Sequence, residues 1–377
     1  MHKDTHSRIR IALVVRPAAG GILSHVRTLI SCVDRSSFEP LIAAPKEFLA
    51  MLNTDVEQIP CEISGKTNPI TDLKMIQRLS ADLKGRCDLI HAHGIRGAFI
   101  GVLAADKMGV PSIFTAHNQL AMPHGFTRLA LRFLAGKSTA IIAVSDAVKL
   151  SLVDAGFPIT KIDVIPNGID LEPFSFQYED AETRKFFGLN PQGRIVLGLG
   201  RLSREKGFDL LIEAFGKLAS HTSDVQLVIA GDGPEAAALK HQAENVIHEN
   251  TNLTKSSIKF TGRTNKTAQL LQSASVVVIP SRVEGQGLAA LEAMAAGRFV
   301  IAAKVGGLLE TIQDGVNGLL TPAEDAASLA EAMKRVLDDP DLAARLGKAG
   351  RHRVETEYTA TLMMQRLEKL YRSCIDY

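Results

Sequence analysis

Two acids and two cations are the residues of this sequence best suited to chemistry. The stretch Ser281-Arg-Val-Glu284-Gly-Gln-Gly-Leu-Ala-Ala-Leu-Glu292 follows a short apolar strand, Ser275 to Pro280, and opens a helix. Gly285 and Gly287 let the backbone come close to a ligand, and the amides of a helix starting near Gly287 and Leu288 offer partial positive charge to a phosphate. Glu284 lies in the turn before that helix, and Glu292 one turn in, about 6 Å beyond Leu288 at roughly 1.5 Å per residue. One carboxylate therefore stands on either side of the amides. A nucleotide-sugar matches this layout, with its diphosphate in the middle and hexose and ribose hydroxyls donating to the two acids. The same residues read equally as a strand, a glycine turn and an Ala-rich helix with a solvated Glu292. Upstream, Arg201-Leu-Ser-Arg204-Glu205-Lys206-Gly207 joins the strand Arg194 to Gly200 to a helix from Phe208. Arg201, as a fork of donors, and Lys206, as a point charge, suit a departing diphosphate, although a solvated basic loop also accounts for them.

Glu284 and Glu292 stand as E-x7-E in SRVEGQGLAALEAMAAG, and GRLSREKG looks like a phosphate-binding G-R-L-x-x-E-K-G. Together these motifs resemble the signature of retaining nucleotide-sugar glycosyltransferases of the GT-B type, the group 1 or family 4 class. The resemblance implies that Glu284 meets hydroxyls of the donor sugar and Glu292 the donor ribose. It gives Arg201, Lys206 and the amides at Gly287 and Leu288 to the diphosphate, and Gly262 and Arg263, which end a strand from Ile258, to the border of the nucleobase. Gly231-Asp-Gly-Pro234 is similar to the family's G-x-G-P turn. One departure is Gln286, which stands between the two glycines where the family usually has an aromatic or apolar residue.

The first half carries weaker signals. Arg16-Pro-Ala-Ala-Gly20-Gly21 follows the apolar strand from Ile9 to Val15, and it is not G-x-G-x-x-G, so the dinucleotide fingerprint is absent there. A tight turn explains Gly20 and Gly21 as well as a ligand does; the resemblance implies that they approach donor phosphates or the acceptor. His117 ends the strand from Pro111, where open parallel sheets place ligands and where structural histidines are also common. The family's T-x-H at this point implies a donor-sugar contact. His91 and His93, in LIHAHG, close another strand and are candidates for lining the acceptor cleft. The implied catalytic set is Glu284, His117, Arg201 and Lys206. No cofactor is expected beyond the co-substrate, with a UDP-sugar as donor. No metal is expected either: Asp339-Pro340-Asp341 reads as a helix N-cap followed by proline at the first helical position.

These groups must be positioned by alternating strands and helices. Strands at 9–15, 40–45, 87–92, 111–118, 140–144, 194–200, 225–230, 258–262, 275–280 and 299–303 alternate with helical stretches such as 70–84, 98–108 and 360–374, which predicts parallel βα units. The fold class is α/β, and the resemblance implies GT-B, two doubly wound Rossmann-like domains facing each other across a cleft. The expected organisation is an acceptor-binding domain at 1–172, a linker at 173–193, a nucleotide-sugar domain at 194–357 and a C-terminal helix at 358–377 that crosses back to the first domain. Proline and acidic residues mark the linker.

At 377 residues with 46% apolar composition, the chain has ample material for two cores, and a net charge of +2 does not point to nucleic acid. Its 4 cysteines are scattered, which indicates neither a zinc site nor a disulfide framework and fits reduced thiols. The polar N-terminus has no signal-peptide core, and no apolar run approaches the ~20 residues that span a bilayer, so a cytoplasmic location is expected. Pro123 to Lys137 interleaves apolar residues with Arg128, Arg132 and Lys137. Such a helix either packs on the core with solvated arginines or rests on an anionic membrane at the inner face of the plasma membrane, where a lipid-linked acceptor would be found. The implied function is retaining glycosyl transfer from a nucleoside-diphosphate sugar in bacterial cell-surface polysaccharide or glycoconjugate synthesis. A nucleotide-sugar epimerase of the same architecture, or a nucleotide-binding protein without transferase activity, is the alternative.

Overall fold

Strands that are apolar on both faces need cover on both, and parallel βα units supply it. Ile9–Val15 is the clearest case, with Ile11 to Val15 all fully buried. A computed structural model describes residues 8–17, 20–65, 67–121, 125–219, 222 and 224–376. They form two compact units: one of the residues up to Gly168 together with the helix Ala360–Ile375, the other Ile169–Thr359.

In the first unit, β1 (Ile9–Val15), β2 (Phe38–Ala44), β3 (Glu57–Pro60), β4 (Leu89–His93), β5 (Ser112–Ala116), β6 (Ala140–Ala143) and β7 (Ile162–Val164) make one parallel sheet in the order β3-β2-β1-β4-β5-β6-β7. The winding reverses between β1 and β4, where Val15 pairs with His93. Helix Ala360–Ile375 closes one face, burying Met363, Met364, Leu367 and Tyr371 against Ile11, Leu13 and Phe38.

In the second unit, β8 (Arg194–Leu199), β9 (Val225–Ala230), β10 (Ile258–Gly262), β11 (Val276–Ile279), β12 (Val300–Ala303) and β13 (Leu319–Thr321) follow the order β10-β9-β8-β11-β12-β13, again parallel. Here the reversal lies between β8 and β11. The helix Leu288–Ala295 buries Ala290, Ala293 and Ala295, small residues that let it lie close to the sheet, together with Leu291 and Met294.

The stretch 173–193 is not a linker. Its two short helices, Glu172–Ser175 and Asp180–Phe187, belong to the second unit, where Phe174, Phe187 and Leu189 join the core around Ile195 and Leu197. Arg184 pins the segment by donating from Nη1 to the carbonyls of Asn190 and Gly193, each at 2.7 Å. The proline and acids that suggested a connection sit in first helical turns, positions they favour for local reasons. The units instead divide at Gly168/Ile169 and Thr359/Ala360, a few residues from 172 and 358. Asp339 does cap a helix, accepting from the Leu342 amide at 2.9 Å with Pro340 at its start.

Candidate functional site

In an open α/β sheet, the crevice for a ligand forms at the carboxyl edge where the strand order reverses. In the second unit the loops flanking that point are 200–207, after β8, and 280–287, after β11. They are joined tightly. Gly207 has φ 67°, and a Cβ there would lie 2.0 Å from the carbonyl oxygen of Pro280, so only glycine fits. The Arg282 amide donates to the Glu205 carbonyl at 2.8 Å. The Arg282 guanidinium forks onto Asp209 at 2.8 and 2.7 Å and donates through Nε to Glu324 Oε1 at 2.6 Å. Asp209 and Glu324 hold the guanidinium pKa above its ordinary value, and Arg282 in turn holds the Asp209 carboxyl below its own. Arg282 was not among the expected site residues, yet it fastens one loop to the other.

Within this frame Lys206 and Glu284 meet. Lys206 Nζ lies 2.6 Å from Glu284 Oε2, and Ser281 Oγ donates to the same oxygen at 3.0 Å. The Glu284 side chain is only 10% exposed and that of Lys206 30%, which strengthens the pair relative to a surface one. The backbone after Glu284 is braced from behind. The Gly307 amide donates to the Glu284 carbonyl at 3.2 Å, and Thr311 Oγ1 to the Gln286 carbonyl at 3.0 Å. Gln286 itself is buried. Gly287 caps helix Leu288–Ala295 at φ 92°, and the first amides of a helix have no acceptor within it. The turn therefore presents donors beside the carboxylate of Glu284.

Glu292 lies further along that helix. Its side chain keeps part of its surface, but its carboxyl is closely surrounded by protein, and burial pushes its pKa up to about 7. Arg201 is exposed on the Lys206 loop, next to Leu202, whose amide donates to the Asp232 carbonyl at 3.0 Å. Gly262 has φ 71° with open space around the position of a Cβ, and its carbonyl accepts from the Gly231 amide at 2.9 Å. Arg263 follows it, exposed. Lys206, Glu284 and the Gly287 turn are thus in one place. Arg201 stands on the Lys206 loop, and Gly262 ends β10, two strands along the same sheet edge.

The first unit repeats the arrangement. Gly20, at φ 71°, caps helix Gly21–Cys32 after β1, and both glycines are exposed. β4 and β5 end in His93 and just before His117. His91 is fixed by two contacts of 2.7 Å, Nδ1 to Tyr371 Oη and Nε2 to Thr115 Oγ1, so its role is structural. His93 Nδ1 lies 3.3 Å from His117 Nε2, and His25, from the helix after the Gly20 turn, packs 4.9 Å from the His117 ring and 5.3 Å from that of His93. Burial lowers all four pKa values, to about 4 for His25 and about 3 for His91, and well below the ordinary value for His93 and His117. His25 carried no sequence signal; the fold alone brings it to the cluster.

Helix Gly125–Lys137 buries Leu131 and Leu134 and exposes Leu129 and Phe133. Pro123 and the side chain of Phe126 lie outside the described residues. Among the described residues, no helix is long and apolar enough to cross a membrane.

Comparison with known proteins supplies the family. The model for glycosyltransferase family 4 matches residues 19–173, and that for glycosyl transferases group 1 matches residues 179–353. The D-inositol 3-phosphate glycosyltransferase of Frankia alni is 31% identical over 290 residues, 71% of this chain and 70% of that protein. The chain belongs to the family 4, group 1 glycosyltransferases. Glycogen synthase of Mycobacterium tuberculosis is likewise 32% identical to this glycosyltransferase over 295 residues, 75% of this chain and 68% of its own. Its fold is GT-B. Anabaena HepE, solved in complex with UDP-glucose, superposes with a TM-score of 0.84 at 22% identity, covering 97% of this chain and 100% of that one. Sucrose-phosphate synthase from Thermosynechococcus elongatus gives 0.80 at 24% identity, covering 98% and 100%.

Proposed function

We propose that this glycosyltransferase moves a sugar from a nucleoside-diphosphate sugar, a UDP-sugar, to an acceptor with retention at the anomeric carbon. One observation carries the reading: the Lys206–Glu284 pair at the reversal point of the second sheet, beside the first amides of helix Leu288–Ala295. An arriving diphosphate competes with Glu284 for Lys206, recruits Arg201 and the helix amides, and leaves Glu284 able to accept from sugar hydroxyls. Charge growing on the departing diphosphate strengthens those contacts in the transition state, which is where they accelerate transfer. Glu292 accepts from the ribose, and Gly262 and Arg263 border the base; on the first unit, His117, Gly20 and Gly21 are the residues proposed to meet substrate. No metal takes part in this leaving-group chemistry.

The acceptor belongs to cell-surface polysaccharide or glycoconjugate synthesis and is lipid-linked, with the protein at the inner face of the plasma membrane. The exposed Leu129 and Phe133 on a helix bearing Arg128 support that part. Flotation with anionic vesicles tests it; recovery of all protein in the unbound fraction refutes it. The donor reading is tested with a panel of nucleotide-sugars, scored by thermal shift and then by released nucleoside diphosphate, with the anomeric configuration of the product read by NMR. Stabilisation by one donor and release that requires an acceptor are expected. Absence of both with every donor overturns the reading.

A further inference from the structure

The buried histidines of the first unit leave a polar account unbalanced. His25 is 3% exposed and His93 fully buried, yet neither ring nitrogen of His25, nor Nε2 of His93, has a hydrogen-bond partner. Asn167 lies close enough to His25 to favour its charged form, but outside hydrogen-bond geometry. Buried polar atoms are nearly always paired, and a buried His25 with both ring nitrogens bare calls for a partner such as an ion. His25, His93 and His117 each offer one ligand atom, all within 4.8 Å of one another. They come from three different elements: the helix after β1, the end of β4 and the residue after β5.

We propose that His25, His93 and His117 form a binding site for a zinc-class divalent cation, with a solvent molecule or anion as the fourth ligand. Zinc takes imidazole nitrogen at about 2.0–2.1 Å in tetrahedral geometry, which places neighbouring ligand atoms roughly 3.3 Å apart. The His93 Nδ1–His117 Nε2 hydrogen bond spans the same distance, 3.3 Å. His117 is partly exposed, which leaves a path for the ion and its fourth ligand. His91 is excluded, since both its nitrogens are already engaged. His117 is also proposed above to meet substrate, so metal binding is tested by itself.

The test uses the full chain, stripped with chelator and free of any sugar nucleotide, so that its outcome does not depend on the donor reading. Zn2+ is titrated against a chromophoric indicator, and Co2+ is followed by its visible absorption. One equivalent bound at micromolar affinity or tighter, with intense four-coordinate Co2+ bands, is expected. His25→Ala, His93→Ala and His117→Gln should each weaken binding roughly tenfold or more, and the exposed His248→Ala should not. Circular dichroism verifies folding; if the two buried variants fail to fold, the partly exposed His117→Gln decides. No stoichiometric binding by the wild type, or equal binding by wild type and His117→Gln, overturns the proposal.

Discussion

Lys206 Nζ lies 2.6 Å from Glu284 Oε2, so the cation suited to a diphosphate and the acid suited to a sugar neutralise each other before either meets a ligand. Each holds the other in place across the reversal point of the sheet, and in the proposed reaction each would be exchanged for a substrate contact.

Removing either partner should therefore cost rate far more than fold. Lys206→Ala and Glu284→Ala should each lower kcat/KM by about 10²–10³, with melting temperatures within a few degrees of wild type. The double variant should lose much less than the product of the two, because the groups act as a unit. Initial rates of nucleoside diphosphate release from the three variants measure this; wild-type rates in either single variant would refute the site.

Arg282 is predicted to act as a positioning residue. Arg282→Lys keeps the charge but loses the fork onto Asp209, and should cost about 1–3 kcal/mol in urea unfolding. It should also raise KM for the donor, since the two loops would no longer be fastened together. An unchanged unfolding midpoint would show that the contact carries no stability.

Two glycines with similar backbone angles should respond differently to alanine. Gly207 and Gly262 have φ of 67° and 71°, but a Cβ on Gly207 meets the Pro280 carbonyl at 2.0 Å whereas one on Gly262 meets nothing within 4 Å. Gly262→Ala should cost about 1 kcal/mol of conformational strain. Gly207→Ala adds a backbone clash and should cost at least about 2–3 kcal/mol more. Denaturant midpoints for the pair give the comparison.

The raised pKa of Glu292 fixes a pH dependence. An acid whose folded pKa, about 7, exceeds its ordinary 4.5 stabilises the fold when protonated. That contribution is full below pH 4.5 and is lost as pH rises through about 7, amounting to about 1–3 kcal/mol. Glu292→Gln should flatten this slope in unfolding measured between pH 5 and 8. If the carboxylate accepts from ribose, affinity for the nucleoside diphosphate should rise over the same window in the wild type and stay level in the variant.

Much of this was legible in the chain. Glu284, Lys206 and the Gly287 turn could be found because their chemistry lies in short, contiguous motifs, and the βα alternation follows from long apolar runs. Arg282 could not be assigned from the motif, since its partner Asp209 lies 73 residues away and only the folded sheet brings them together. The strands Glu57–Pro60, Ile162–Val164 and Leu319–Thr321 were missed because 3 or 4 residues cannot establish a period. The same limit hid Phe174 and Phe187 as core residues in a segment whose proline and acids suggested a linker.

The first unit is discontinuous: Tyr371, which hydrogen-bonds His91 and packs at 5.9 Å from Phe38, belongs to the last helix of the chain. On the ribosome, the core of the first unit can therefore close only once helix Ala360–Ile375 has been made. The intervening segment has no such delay, because its ends, Ile169 and Thr359, are bridged side by side, and it can fold as an insertion while the nascent chain is still being completed.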